Sequence, residues 1–135
     1  MTVKNDISNK NYDEAMQLLI EARMYISRNR FNMKMIEDPV DRLIYCRETT
    51  RLTTRLTHIM GWLLTQKAVD NGEITWYEAM TSYQALKNER ICTEEMEEDT
   101  KLIPDQLKKL LSKSSEMYQR ISRLDDLVRR NLNVV

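Results

Sequence analysis

Residues 39 to 70 carry a long, regular pattern of hydrophobic and polar positions. Its apolar positions recur at intervals of four, three and four residues, which places them on one face of a helix; they are Leu52, Leu56, Ile59 and Leu63. Asp38-Pro39 is typical of a helix start, and Asn71-Gly72 is typical of a helix end. We therefore predict one unbroken helix of 32 residues, about 48 Å long, as the spine of the fold.

A second amphipathic pattern precedes this spine. Residues 12 to 29 place alanine, leucine, tyrosine and isoleucine side chains on one broad face, which predicts a first helix packed against the spine. Residues 1 to 11 are polar, and we predict that they are frayed. We expect residues 30 to 38 to form a loop whose apolar side chains close one end of the bundle; these are Phe31, Met33 and Met35.

Further patterns follow the spine. Thr75-Trp76-Tyr77-Glu78 has the form of a capping box, which predicts a third helix from 76 to about 90. The next residues are rich in acids and predict a solvated linker over about 91 to 101. Pro104-Asp105 then opens a last helix, whose seven-residue apolar repeat runs from 107 to 128.

Together these patterns predict an all-α fold, a three- to four-helix antiparallel bundle with one long central helix, in a single domain of residues 1 to 135. The apolar seams exceed what a three-helix monomer needs to bury, so we predict a homodimer through the first or last helix and the region of Trp62. Gly61 and Ser114 are small residues at which we expect another helix or backbone to approach closely. The candidate packing or dimer contacts are Leu52, Leu56, Ile59, Trp62, Leu63, Ser114, Met117 and Ile121.

Charge and hydropathy limit where the protein acts. Its 21 cations balance its 21 anions, so no net field attracts the chain to nucleic acid or to an anionic membrane. No segment reaches the roughly 18 consecutive apolar residues of a membrane span, and residues 1 to 11 lack the apolar core of a signal peptide. These features predict a cytoplasmic protein.

The residue types needed for catalysis are scarce. The chain has two glycines, which are isolated and form no phosphate-binding loop, and its one histidine leaves little basis for a nucleophile-histidine pair. Cys46 and Cys92 lie far apart, and we expect them to be reduced, structural cysteines. We therefore predict that the protein is not an enzyme and has no catalytic residue, cofactor site or metal site.

Cationic side chains line up on one flank of the spine. Arg47, Arg51, Arg55 and His58 recur at intervals of four, four and three residues. This alignment has several interpretations: a solvated flank paired with acids of a neighbouring helix, inward ion pairs that fix the register of the bundle, or a face for docking an acidic partner. We treat these four residues as the candidate partner-docking residues, provided that they face solvent.

Two alternative functions remain open at this point. The last helix has a cationic exterior that could contact nucleic acid, formed by Lys108, Lys109, Lys113, Arg120, Arg123, Arg129 and Arg130. No aromatic or glycine pattern of a known nucleic-acid module accompanies it, which argues against nucleic-acid binding. The other alternative is a purely structural helical dimer.

The order of short motifs along the spine resembles the RcdA family of alphaproteobacterial cell-cycle proteins, long described as a domain of unknown function. In the spine these motifs are residues 51 to 56 (RLTTRL), Ile59, 62 to 64 (WLL), 66 to 69 (QKAV) and 71 to 73 (NGE). In the last helix they are residues 102 to 104 (LIP), 110 to 111 (LL) and 120 to 125 (RISRLD). The resemblance covers about residues 12 to 128.

This resemblance implies a small, non-enzymatic helical-bundle dimer that acts as an adaptor. RcdA-type proteins work with a response-regulator adaptor to present substrates, including the regulator CtrA, to the ClpXP protease. The implied partners are therefore ClpX, a response-regulator adaptor and substrate regulators. The resemblance also implies that such partners can recruit the protein to a cell pole. Against the pattern that this resemblance implies, we expect the polar C-terminal tail of the family to be nearly absent, and residues 90 to 99 are more acidic than the family pattern.

Overall fold

The computed structural model describes residues 3 to 94 and 103 to 133, and in these residues the regular structure is helical, without a strand. Three helices in this part of the chain exceed 25 residues: α1 (Val3–Arg28), α3 (Pro39–Asp70) and α6 (Asp105–Asn131). They pack against one another around a shared apolar core. The predicted all-α bundle with one long central helix is confirmed.

Helix α3 has the predicted bounds, and its ends show why. The Asp38 carboxylate accepts a hydrogen bond from the Val40 amide at 2.9 Å, which satisfies one of the donors left free at the helix start. At the other end the Asn71 amide still donates to Lys67, and Gly72 then takes a φ of +76°. Gly72 ends the helix because a residue with a side chain is strained in that conformation.

Contacts at both ends of α1 show that it runs antiparallel to α3. The hydroxyl groups of Tyr25 and Tyr45 are 3.1 Å apart where α1 ends and α3 begins. At the opposite end, Lys67 Nζ lies 3.5 Å from Asn9 Oδ1 and 4.1 Å from the centre of the Tyr12 ring. Such a reversal follows from the short connection between the two helices.

Helix α6 runs parallel to α3. Arg55 of α3 lies beside Ser114 of α6, and further along both helices Trp62 lies beside Asp125. Residue numbers therefore rise in the same direction along both helices. The antiparallel prediction therefore holds for α1 against each of its two neighbours, but not for α3 against α6. Because parallel neighbours need a connection that returns along the bundle, the chain after residue 70 must cross its full length.

The connection between α3 and α6 begins with α4 (Trp76–Ser82), continues through a 3₁₀ turn (Leu86–Asn88) and then forms α5 (Arg90–Thr93). The N-cap half of the predicted capping box is present, since the Thr75 hydroxyl accepts a hydrogen bond from the Glu78 amide at 3.2 Å. The prediction that this helix continues to about residue 90 is wrong. It ends because side chains of α6, described below, donate hydrogen bonds to the carbonyls of Met80, Tyr83 and Leu86, and Tyr83 takes an extended conformation.

Other predicted boundaries also differ. Helix α1 begins at Val3, within the segment that we expected to be frayed, because residues 3 to 11 contain no glycine or proline to interrupt it. The expected loop at 30 to 38 contains a short helix, α2 (Arg30–Lys34), and Met35 is 65% exposed instead of closing the bundle. The side chains of Phe31 and Met33 lie outside the described residues, as do residues 95 to 102 of the predicted acidic linker.

The candidate packing residues lie in the core of this single chain. All of them are buried: Leu52, Leu56, Ile59, Trp62, Leu63, Ser114, Met117 and Ile121. Gly61 does not fulfil its expected role, because it is exposed and a methyl group added there would meet no atom within 4 Å. Trp62 instead packs against Trp76 of α4, with ring centres 5.6 Å apart.

Candidate functional site

The predicted docking stripe does not face solvent as a unit. Arg51 and Arg55 are only 3% and 4% exposed, whereas Arg47 and His58 are partly exposed. The condition for a four-residue docking stripe therefore fails at its two central positions. The alternative of inward-facing charges describes Arg51 and Arg55, since neighbouring groups of the same chain surround both guanidinium groups.

Glu48 is the buried carboxylate that pairs with this arginine cluster. Arg51 Nη1 donates to both Glu48 carboxylate oxygens, at 2.8 and 2.9 Å, and Arg47 Nε approaches one of them at 3.3 Å. A buried charge without a partner is strongly unfavourable, so each of these groups requires the other.

The same two arginines hold the end of the connection. Arg51 Nε donates to the Ile91 carbonyl at 2.9 Å, and Arg55 donates to the carbonyls of Cys92 at 2.8 Å and Glu94 at 3.3 Å. These carbonyls lie at the C-terminal end of α5, where a helix leaves acceptors without internal partners and favours positive charge. The arginines therefore fasten a four-residue helix that would not be stable alone.

Arg55 also explains the small residue in the last helix. Its Nη1 donates to the Leu111 carbonyl at 3.1 Å and to Ser114 Oγ at 3.3 Å, while Ser114 Oγ donates to the Leu111 carbonyl at 2.9 Å. Burial, and after it the like charge of Arg51, lowers the pKa of Arg55. The space beside Ser114 thus accommodates a guanidinium group, where we expected an approaching backbone.

A second buried ion pair holds the first half of the connection. Arg129 Nε lies 3.1 Å from both carboxylate oxygens of Asp125, and its other nitrogens donate to the carbonyls of Met80 and Tyr83, each at 2.9 Å. The sequence pattern places Arg129 on the cationic exterior of the last helix. That assignment is wrong, because Arg129 is buried and neutralised by Asp125.

Asp125 joins three elements. Besides Arg129, it accepts hydrogen bonds from Trp62 Nε1 of α3 at 3.0 Å and from the Leu86 amide of the connection at 3.2 Å. Next to it, the Tyr118 hydroxyl donates to the Leu86 carbonyl at 2.6 Å. The charged and polar groups on the inner face of α6 are therefore engaged in holding the connection to the bundle.

The free cysteine of the connection is also part of this packing. Cys92 is buried beside Tyr118, and burial raises the pKa of its thiol as well as that of the Tyr118 hydroxyl. Since the thiolate is the reactive form, this environment disfavours nucleophilic chemistry at Cys92.

Two pockets lie beside the buried ion pairs. One, of about 290 Å³, opens between α3 and the connection and is lined by Thr57, His58, Gly61, Trp62, Thr65, Met80, Tyr83, Gln84, Leu86, Asp125 and Arg129. The other, of about 210 Å³, lies between α3 and α6 and is lined by Glu48, Arg51, Arg55, Lys108, Leu111, Ser112, Ser115 and Glu116. In the described part of the chain, no three histidine, cysteine or acidic residues are arranged to share a metal ion.

Several outward-facing cations of α6 form ion pairs. Arg120 approaches Glu14 of α1 at 2.7 Å, Lys113 approaches Glu21 of α1 at 3.9 Å, and Arg130 pairs with Asp126 on α6 itself. These acids reduce the positive field that a nucleic-acid contact by this helix requires. Within the described residues, no helix combines the length and the hydrophobicity that a membrane-spanning segment needs.

Sequence reasoning missed Glu48 and Asp125, although a signal was present. Asp125 stands seven residues after Tyr118 in the apolar repeat of the last helix, and Glu48 stands four residues before Leu52 in the seam of the spine. An acid at a core position of a helix, with an arginine three or four residues later, indicates a buried pair.

The chain matches known proteins in two ways. The model of a family described as "Protein of unknown function (DUF1465)" matches residues 2–134. The crystal structure of RcdA from Caulobacter crescentus CB15 is similar, with 32% sequence identity, coverage of 91% of this chain and 88% of that chain, and a TM-score of 0.66. No curated protein matches the chain significantly. The chain therefore belongs to the DUF1465 family and is an RcdA-like protein.

Proposed function

We propose that the protein is a non-enzymatic adaptor that brings other proteins together. The observation that carries the proposal is the similarity to RcdA over 91% of the chain. The buried charged side chains support the proposal, because they are engaged in holding the connection to the bundle. They are Glu48, Arg51, Asp125 and Arg129. What such a fold offers to other molecules is its outer surface.

In its specific form, the proposed role is the RcdA type. The protein would act in the cytoplasm, in some cases at a cell pole, and help a response-regulator adaptor to present cell-cycle regulators to the ClpXP protease. This role needs binding surfaces and no turnover, in agreement with the scarcity of catalytic residue types in the sequence.

We test this role in a degradation assay. Purified ClpXP, a response-regulator adaptor and a candidate regulator from the same organism are combined with and without the protein. The proposal expects faster loss of the regulator when the protein is present, and capture of ClpX or the response regulator on the immobilised chain. An unchanged degradation rate together with no captured partner would contradict the adaptor role.

We also propose that the protein self-associates through α1. Ile20 and Met24 are four residues apart on α1, and both are nearly half exposed. Apolar side chains one helical turn apart form a continuous strip that a second copy could cover. Trp62 itself is buried within one chain, so its direct participation is not part of this proposal.

Light scattering tests the dimer. We expect the wild-type chain to have twice the monomer mass at micromolar concentration and the double substitution Ile20→Glu, Met24→Glu to give a monomer with unchanged helicity. Arg23→Glu, at an exposed position of α1 outside this strip, makes the same change in net charge and serves as the matched control. A monomeric wild-type chain would refute self-association while leaving the adaptor role open.

A further inference from the structure

We propose that the pocket lined by Arg51, Arg55 and Lys108, hereafter the arginine pocket, binds a carboxylate side chain of an acidic partner segment. The inference rests on the proposed adaptor function and assigns it a binding site. The pocket has a volume of about 210 Å³ and lies between α3 and α6. This volume admits a side chain and excludes a folded element, and the cationic lining of Arg51, Arg55 and Lys108 favours a carboxylate.

The charge of the cluster points to an anion. Within the described residues, Glu48 is the buried carboxylate beside the two arginines, and Arg51 Nη1 binds both of its oxygens. Arg55 has no carboxylate within hydrogen-bond distance in the described residues; its donors reach the Cys92, Glu94 and Leu111 carbonyls and the Ser114 hydroxyl. Among the buried groups of the described residues, these two guanidinium groups therefore share one carboxylate, which leaves an excess of one positive charge.

The chain itself shows that a carboxylate fits beside Arg51. Glu94 Oε2 lies 3.7 Å from Arg51 Nη2, beyond hydrogen-bond distance, and the Glu94 side chain is 53% exposed. The other Glu94 oxygen lies 3.6 Å from Arg90, so Arg51 does not hold this carboxylate alone. A loosely held carboxylate of this kind competes weakly with an incoming one.

The rim of the pocket adds further donors. Lys108 is partly exposed and lines the pocket together with the hydroxyl-bearing Ser112 and Ser115. The two acids that line the pocket are Glu116, which is exposed at the rim, and Glu48, which is hydrogen-bonded to Arg51. An ammonium group beside buried guanidinium groups is the arrangement that recognises a carboxylate, and charge complementarity of this kind favours an acidic partner over a neutral one.

The probe for this site is acetyl-pentaglutamate amide, with the pentaglutamine peptide as its uncharged counterpart. Both are titrated into the full chain at constant ionic strength, and binding is followed by NMR at the Nε groups of Arg51 and Arg55. We expect a saturable shift with pentaglutamate and none with pentaglutamine. A shift of equal size with both peptides, or no saturable shift, would overturn the proposal.

Two adjacent lysines provide a matched comparison. Lys108→Glu places a like charge at the pocket and should weaken pentaglutamate binding by on the order of tenfold or more. Lys109→Glu makes the same change in net charge at an exposed residue that does not line the pocket, and it should leave binding nearly unchanged. Equal weakening by both substitutions would show a general field effect and refute the site. Thermal unfolding of both variants establishes that they are folded.

Two further arms identify the ligand and separate this inference from the adaptor role. Glu94→Gln removes the competing carboxylate and should tighten pentaglutamate binding; weaker binding would contradict the proposed competition. Binding of inorganic phosphate without binding of the peptide would reassign the site to a free oxyanion. If the Lys108→Glu variant captures partners as well as the wild type does, this site is refuted and the adaptor role is not. If the wild-type chain captures no partner, the adaptor role itself is refuted.

Discussion

Arg55 of the central helix and Ser114 of the last helix form one contact through a guanidinium group and a hydroxyl group, with Arg55 Nη1 3.3 Å from Ser114 Oγ. Both residues are buried, and both also bind the Leu111 carbonyl. The small residue in the apolar repeat of α6 is therefore the space in which a charged side chain of α3 reaches the connection. This relationship links the parallel packing of the two helices to the position of α5.

Replacing Ser114 should show how much this space contributes to stability. Ser114→Leu fills the position of the Arg55 guanidinium group, and overpacking together with a displaced buried charge should lower the free energy of unfolding by about 3 kcal/mol or more. Ser114→Ala keeps the space and should lose only about 1 kcal/mol. Urea unfolding measures both, with exposed Ser112→Ala as control. A Ser114→Leu chain as stable as wild type would contradict the described contact.

The ion pair of Glu48 and Arg51 should be far more sensitive to losing one member than to losing both. Glu48→Leu leaves two buried guanidinium groups without a carboxylate and should cost about 3–5 kcal/mol. The double substitution Glu48→Leu, Arg51→Met returns the net buried charge to that of the wild type and should recover part of that loss. Denaturant unfolding of both variants tests this, and a double variant less stable than Glu48→Leu alone would show that the bond from Arg51 to Ile91 dominates.

Asp125→Asn should loosen the first half of the connection. The amide group cannot neutralise Arg129. Its nitrogen replaces one of the two carboxylate oxygens, of which one accepts from Trp62 Nε1 and the other from the Leu86 amide, so one of these two hydrogen bonds is lost. We expect a loss of about 3 kcal/mol and faster amide hydrogen exchange over residues 80 to 88. The neighbouring Asp126→Asn, at the surface ion pair with Lys87, should change exchange little. Equal exchange in both variants would argue against a holding role for Asp125.

The long helices could be predicted from sequence because their information is local. The capping residues and the apolar repeat lie within each helix, so the bounds of α3 and the start of α6 followed from neighbouring positions. The connection could not be predicted in this way. The end of α4 and the formation of α5 depend on hydrogen bonds from Arg129, Arg51 and Arg55, which are distant in sequence.

The burial of two of the four candidate docking residues could not be predicted from the sequence for a related reason. Helical spacing places Arg51 and Arg55 on one flank with Arg47 and His58, but it does not reveal which part of that flank another segment will cover. The connection covers the two central arginines and leaves the outer residues partly exposed. An acid at position 48 within the apolar seam was the local sign that this flank is buried.

Stability should fall at high pH through the buried tyrosines. Burial raises the pKa of Tyr118 and of Tyr25, in the second case with the Tyr45 hydroxyl as a further cause. In the unfolded chain these groups lose their protons near pH 10, while in the folded chain they keep them, so the unfolded state gains stability as pH rises above about 10. Tyr25→Phe should lower stability at pH 7 but reduce its decline between pH 9 and 11. Unfolding in urea across this range measures the slope, and an identical slope in the variant would contradict the assignment.

Gly61→Ala should stabilise the protein. Gly61 lies in the interior of α3, is exposed, and has no atom within 4 Å of the position that a methyl group would take. Glycine in the interior of a helix costs about 1 kcal/mol relative to alanine, because it loses more backbone freedom on folding. We therefore expect an increase of about 0.5–1 kcal/mol in the free energy of unfolding, measured in urea on the isolated chain. Thr57→Ala, on another exposed position lining the same pocket, is the control for changes in the pocket itself. A destabilised Gly61→Ala chain would mean that another surface, such as a second copy of the chain, packs closely against this glycine.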